Sequence, residues 1–187
     1  MHDVVERYVA ALAELDEHVG AIGPQQWHEP TPCTEWDVRA LVDHLVYETL
    51  WVPDLIAGKT LAEVGDHYDG DRLGDDPVAA WKRASAAAVA GVRSSTPGVR
   101  VHTSGGEVTA DAYLTEMLFD AVIHGWDLAR GIGVAHVIPD DVARDLEAWV
   151  TPLVDVMVTG GSTSRPVETG AEEDPATRLI ALSGRTP

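Results

Sequence analysis

Four long segments of this chain place apolar residues three and four positions apart, and that rhythm constrains the fold more than any other feature. The first covers 3–20, where Val4, Val5, Tyr8, Val9, Leu12 and Leu15 line one face of an amphipathic helix. The second runs from about 35 to 57 on Val38, Leu41, Val42, Leu45, Val46 and Leu50. Thr34 is its predicted cap, Asp37 is the acid of an imperfect capping box, and Pro53 loosens its end. The third starts at Asp76-Pro77, with proline in the first turn. It continues through an alanine-rich stretch whose small residues predict close helix approach, although Gly91 weakens the helix. The fourth runs from about Thr109 to Arg130 and is predicted to stop at Gly131. A fifth helix is predicted from Pro139 to about Val158, and the tail closes with a short helical segment, PATRLIALSG.

The connections differ in length and character. Residues 21–35 hold three prolines and a glycine and read as a loop. Residues 58–75 are rich in glycine and aspartate and read as a long loop. Residues 96–107 are turn-rich, and VRVHTSGGEVT has the alternation and the Gly105-Gly106 turn of a short hairpin. Four long helices with unequal connections predict an all-α helical bundle. The expected organisation is one domain over 1–187, with a core of about 3–158 and a C-terminal extension of about 159–187.

Composition narrows the function. The 187 residues carry 31 acids against 13 bases, a net charge of −18. A surface this acidic repels phosphate backbones, and no basic run is present, so nucleic acid is not an expected partner. No stretch approaches the roughly 20 apolar residues of a membrane span. The N-terminus has neither a basic n-region nor an apolar h-region, so the expected location is cytoplasmic. Cys33 is the one cysteine, which excludes an internal disulfide. It reads as a small buried residue of the TPCT turn, with a nucleophile as the alternative. Metal ligands are therefore expected among His, Asp and Glu.

Asp120 and His124 stand one turn apart in FDAVIHGWDLARG and share a helix face. His44 sits between Leu41 and Leu45 at the edge of an apolar stripe, where a hydrogen-bonded core histidine is the alternative to a ligand. If the two helices pack side by side, His44, Asp120 and His124 converge on one divalent metal and leave a coordination position open. Glu48, one turn after His44, is the candidate partner or base. Tyr47, Trp51 and Tyr113 are candidate pocket walls, and Trp36 and Trp126 are expected to brace the site. His2, His18, His28, His67, His102 and His136 are expected at the surface. The loop GDHYDGD lacks the EF-hand pattern. Nucleotide-binding, nucleophile-elbow and zincin motifs are absent.

Taken together, TPCTEWDVRALVDHLV and FDAVIHGWDLARGIG resemble the DinB/YfiT-like metal-binding superfamily. Within it, they resemble the actinobacterial branch that includes the N-terminal domain of mycothiol-dependent maleylpyruvate isomerase. The resemblance extends from the first helix to RLIALSGRTP. It implies an up-down-down-up four-helix bundle and a divalent metal, usually zinc, on His44, Asp120 and His124. Glutamate often stands four residues before the last histidine in that family; this chain has Asp120 there, one methylene shorter. The isomerase also carries a second domain, for which this chain has no room. The resemblance therefore implies a thiol-dependent transferase or isomerase rather than maleylpyruvate isomerisation itself. A free thiol has a pKa of about 8.5, and metal coordination deprotonates it. Water in the same position would instead give a hydrolase. Both chemistries stay open, as does a non-catalytic metal- or ligand-binding stress protein. The expected partners are a small substrate and a low-molecular-weight thiol such as mycothiol, with a homodimer left open.

Overall fold

The structure, a computed structural model, describes residues 2–96, 98–170 and 172–187. Pro97 of the turn-rich connection and the side chain of His2 lie outside what is described. The protein is mostly helical, with one two-stranded sheet. Among the described residues, no helix is long and apolar enough to cross a membrane.

Helix α1 (His2–Ala21) buries Val5, Tyr8, Leu12, Leu15 and Val19 along one face. Helix α2 (Val38–Ile56) starts later than its apolar pattern suggests. Its cap is Asp37 rather than Thr34: the Asp37 carboxylate accepts the Ala40 N–H at 2.8 Å. Thr34 instead belongs to the preceding turn, which Trp36 closes by donating its N–H to the Cys33 carbonyl. The predicted long loop at 58–75 contains a single helical turn, α3 (Leu61–Val64), held by a reciprocal capping box between Thr60 and Glu63. That box was readable as T-x-x-E.

Helix α4 (Pro77–Ser94) begins where expected, with Asp76 accepting the Ala79 N–H. The hairpin forms as β1 (Arg100–Thr103) antiparallel to β2 (Gly106–Thr109), with Val101 opposite Val108. Helix α5 (Ala110–Ile132) is capped by Thr109 and runs past Gly131 to Gly133, which takes the left-handed conformation at φ +73. Gly131 is a point of close approach instead. A Cβ there would lie 3.3 Å from the Pro30 carbonyl and 3.3 Å from Val38. The predicted helix at 139–158 is broken into α6 (Asp140–Val150), a 3-10 turn at Thr151–Leu153 and α7 (Val154–Gly160). Pro152 lies in that break and has no N–H for a continuing helix. Helix α8 (Pro175–Leu182) packs on α6, where Arg178 grips Glu147 through two bonds of 2.8 Å.

The long helices share one core. Helix α1 packs against α4 and α5, and α2 packs against the same two. Gly91 of α4 sits against Pro53 of α2, where a Cβ would lie 3.0 Å from the Pro53 Cα. The small residues of α4 therefore mark a close crossing, as the sequence predicts. Trp81 of α4 is fully buried and donates its indole N–H to Asp16 of α1. Near the other end of the same pair, Arg93 meets Glu6 at 3.8 Å. Helices α2 and α5 meet through Val38 near Gly131 and through His44 at Asp120.

Candidate metal centre

Where α2 crosses α5, three donors face one point. His44 Nε2 lies 3.1 Å from Asp120 Oδ1, and His124 Nε2 lies 3.6 Å from the same oxygen. Donor atoms of all three side chains fall within 4.8 Å of one another. The helices explain this placement. Asp120 and His124 are one turn apart on α5, and His44 enters from the facing stripe of α2.

The chemistry of the donors is fixed from behind. His124 Nδ1 is 2.9 Å from Asp127 Oδ2. A carboxylate only accepts, so Nδ1 carries a proton and Nε2 is the nitrogen that faces Asp120. Asp127 has no exposed side-chain surface, and the Arg185 guanidinium holds it at 2.8 and 3.3 Å. Arg185 also donates to the Ser183 carbonyl at 2.7 Å. This is the carboxylate–histidine support typical of metal ligands. Trp36 stacks over His44, with ring centroids 4.5 Å apart, and stands 5.4 Å from His124. Two imidazoles and a carboxylate, with the outer histidine nitrogen committed elsewhere, fit a divalent ion with an open position.

Electrostatics agree with that donor set. Burial pushes Asp120 up, but the charges of His124 and His44 outweigh it and hold the carboxyl below its ordinary value. Burial pulls His44 down, and its bond to Asp120 more than reverses this. The three residues line a cavity of about 740 Å³ whose wall includes Cys33, Trp36, Glu48, Glu116, Met117 and Arg185. Glu48 is pushed up to about 7 by burial and by the Asp120 charge. Burial also raises the Cys33 thiol, against the pull of Arg185.

The sequence-predicted residues divide cleanly. His44, Asp120, His124 and Glu48 meet at the cavity. Tyr47, Trp51 and Tyr113 do not line it. Tyr47 turns toward the 66–72 segment, where Arg72 covers its ring at 4.7 Å, and Trp51 packs between Tyr47 and Tyr68. Tyr113 is consumed by the core. Trp126 lies under Arg130 at 5.2 Å, packs against the core and does not line the cavity.

Cys33 is half-buried in the cavity wall, near His124 and Asp127, rather than packed away in its turn. His18 and His136 have buried side chains instead of the expected surface positions. Asp127 and Arg185 were missed. The first was signalled by its i, i+3 spacing from His124; the second lies in the tail, where no local pattern points to it.

Comparison with known proteins agrees with the geometry. Residues 8–129 match the family described as the mycothiol maleylpyruvate isomerase N-terminal domain. An uncharacterized protein of Mycobacterium tuberculosis strain H37Rv is 30% identical over 186 residues, covering 97% of this chain and 95% of the relative. An uncharacterized protein of strain CDC 1551 matches to the same extent. No solved structure gives a significant match. The matched segment contains His44, Asp120, His124 and Asp127, so the chain belongs to the mycothiol maleylpyruvate isomerase N-terminal domain family.

Proposed function

We propose that this protein is a cytoplasmic divalent-metal enzyme of the S-transferase or isomerase type that uses a low-molecular-weight thiol such as mycothiol. The observation that carries the reading is the convergence of His44, Asp120 and His124 on the wall of a cavity large enough for small molecules. Family membership supports the thiol. In this reading the four long helices form an up-down-down-up bundle, which the pairings Trp81–Asp16, Arg93–Glu6 and Val38–Gly131 support. The whole chain acts as one domain, and its extension supplies Arg185 to the site.

His44, Asp120 and His124 would hold the ion, with zinc as the expected metal. Bound there, it supplies a thiol ionised at neutral pH. The chain's own residues do the rest. Asp127 and Arg185 keep His124 in one tautomer and one orientation. Glu48, on the cavity wall one turn from His44, is placed to take the thiol proton and pass it on. Trp36 and Met117 give the cavity apolar wall on which an electrophilic substrate packs.

The test is to load the protein with zinc and follow consumption of mycothiol with a chlorobimane-type electrophile. Turnover that disappears in His44→Ala is the expected result. Absence of turnover with any thiol, while zinc binds at the cavity, overturns the reading. Hydrolysis without added thiol would instead establish the metal–water alternative. A non-catalytic metal-binding protein would show a fourth protein ligand closing the site.

A further inference from the structure

A second group of donors lies on the other pair of elements, where α1 meets the connection between α5 and α6. His136 Nδ1 is 3.0 Å from Glu14 Oε1 and 3.1 Å from His18 Nε2. Glu14 Oε1 and His18 Nε2 are 3.9 Å apart. Donors held about 2.0–2.1 Å from a tetrahedral ion lie roughly 3.3 Å from one another, and these three separations bracket that value. Glu14 and His18 are one turn apart on α1, the same i, i+4 device that pairs Asp120 with His124 on α5.

We propose that Glu14, His18 and His136 form a second binding site for a divalent transition-metal ion, which ties the α5–α6 connection to α1.

Three observations carry this. First, protons alone serve the cluster poorly. His136 Nδ1 faces two polar atoms. As an N–H it must share one proton between Glu14 and His18; as a lone pair it faces a carboxylate. A cation among the three atoms satisfies all of them. Second, both imidazole side chains are buried while Glu14 is partly exposed, so the two rings face one another and the carboxylate rather than solvent.

Third, the His136 ring is locked in place by α5. A Cβ on Gly125 would lie 3.2 Å from His136 Cε1 and 3.9 Å from its Nε2. Among the described residues Nε2 is buried without a hydrogen-bond partner, and the polar contacts of this ring are on the Nδ1 side. Glu14 is partly exposed and gives the ion a route in, with solvent available for a fourth position. The donor set of two imidazoles and a carboxylate suits zinc and cobalt.

The experiment is a cobalt titration of chelator-stripped full-length protein, read by absorbance and by elemental analysis, with zinc as a second probe. The cavity site is removed by His44→Ala and the second site by Glu14→Gln, which alters a half-exposed side chain and spares the buried ring pair. Wild type should take up one equivalent more than either variant, and the double variant none. Retention of an equivalent by His44→Ala that is lost on adding Glu14→Gln supports the second site even if the cavity site proves not to be catalytic. His18→Asn serves as the check should Glu14→Gln bind through its amide. Equal uptake by His44→Ala and by His44→Ala with Glu14→Gln and His18→Asn, all three folded by circular dichroism, overturns the proposal.

Discussion

The two clusters are built from the same parts and set in different surroundings. Each has two imidazoles and one carboxylate, with one histidine and its acid a turn apart on a long helix. At His44, Asp120 and His124 the donors open onto a cavity of about 740 Å³ and are backed by Asp127 and Arg185. At Glu14, His18 and His136 both ring side chains are buried, the His136 ring packs against Gly125, and none of the three lines the 740 Å³ cavity. A ligand set makes a place for an ion, while the space beside it and the support behind it decide whether chemistry can follow. In the proposed reading the first cluster carries the reaction and the second clamps the structure.

The comparison is most open to attack at its shared carboxylate positions. Asp120→Ala removes the oxygen that both cavity histidines face. It should lower affinity for the cavity ion by more than about 100-fold, above the 10–100-fold range of outer-shell changes, while leaving uptake at Glu14 unchanged. Calorimetry on stripped protein checks this; an equal loss at both clusters would break the separation. Asp127→Asn should cost about 10–100-fold at the cavity ion alone. Arg185→Leu leaves the buried Asp127 carboxylate without its cation and should destabilise the fold by about 3–5 kcal/mol, read by urea unfolding.

Acid unfolding separates the clusters by sign. In metal-free protein the unfolded chain protonates His136 near its ordinary value of about 6.5, whereas in the folded protein it protonates at about 4. The folded state therefore binds fewer protons in that window, and stability should fall as pH drops from about 6.5 to 4. His44 is shifted upward. Its contribution is full below its ordinary value and is lost as pH rises through the folded one. His136→Leu should flatten the acid limb of the urea midpoint against pH, and His44→Leu the opposite limb. The smallest effect is expected at Gly91→Ala. The new methyl meets the Pro53 backbone, and overpacking of about 1–3 kcal/mol is partly offset by a helix-propensity gain of about 1 kcal/mol.

Periodicity made the long helices legible, because Leu12, Leu41, Leu45 and Leu114 recur on the faces that the structure buries. The boundaries were less legible. Asp37 and Thr34 are both good caps, and only the turn closed by Trp36 decides between them. Gly131 and Gly133 are both plausible stops, and close packing on Pro30 decides there. In the site, Asp120 and His124 could be read because they are local to one helix. Arg185 could not, because its meeting with Asp127 spans 58 positions and depends on how the tail folds back. His18 and His136 are 118 positions apart and were hidden for the same reason. Tyr47 and Trp51 were misplaced because nearness to His44 along α2 does not fix which side a ring turns toward.

The most direct test of the central claim is spectroscopic. Cobalt-loaded protein is titrated with mycothiol, and the near-ultraviolet thiolate-to-cobalt charge-transfer absorption is followed. The account predicts that the band appears in wild type and in Glu14→Gln and is lost in His44→Ala. Cobalt bound at the cavity with no such band at any mycothiol concentration would contradict it.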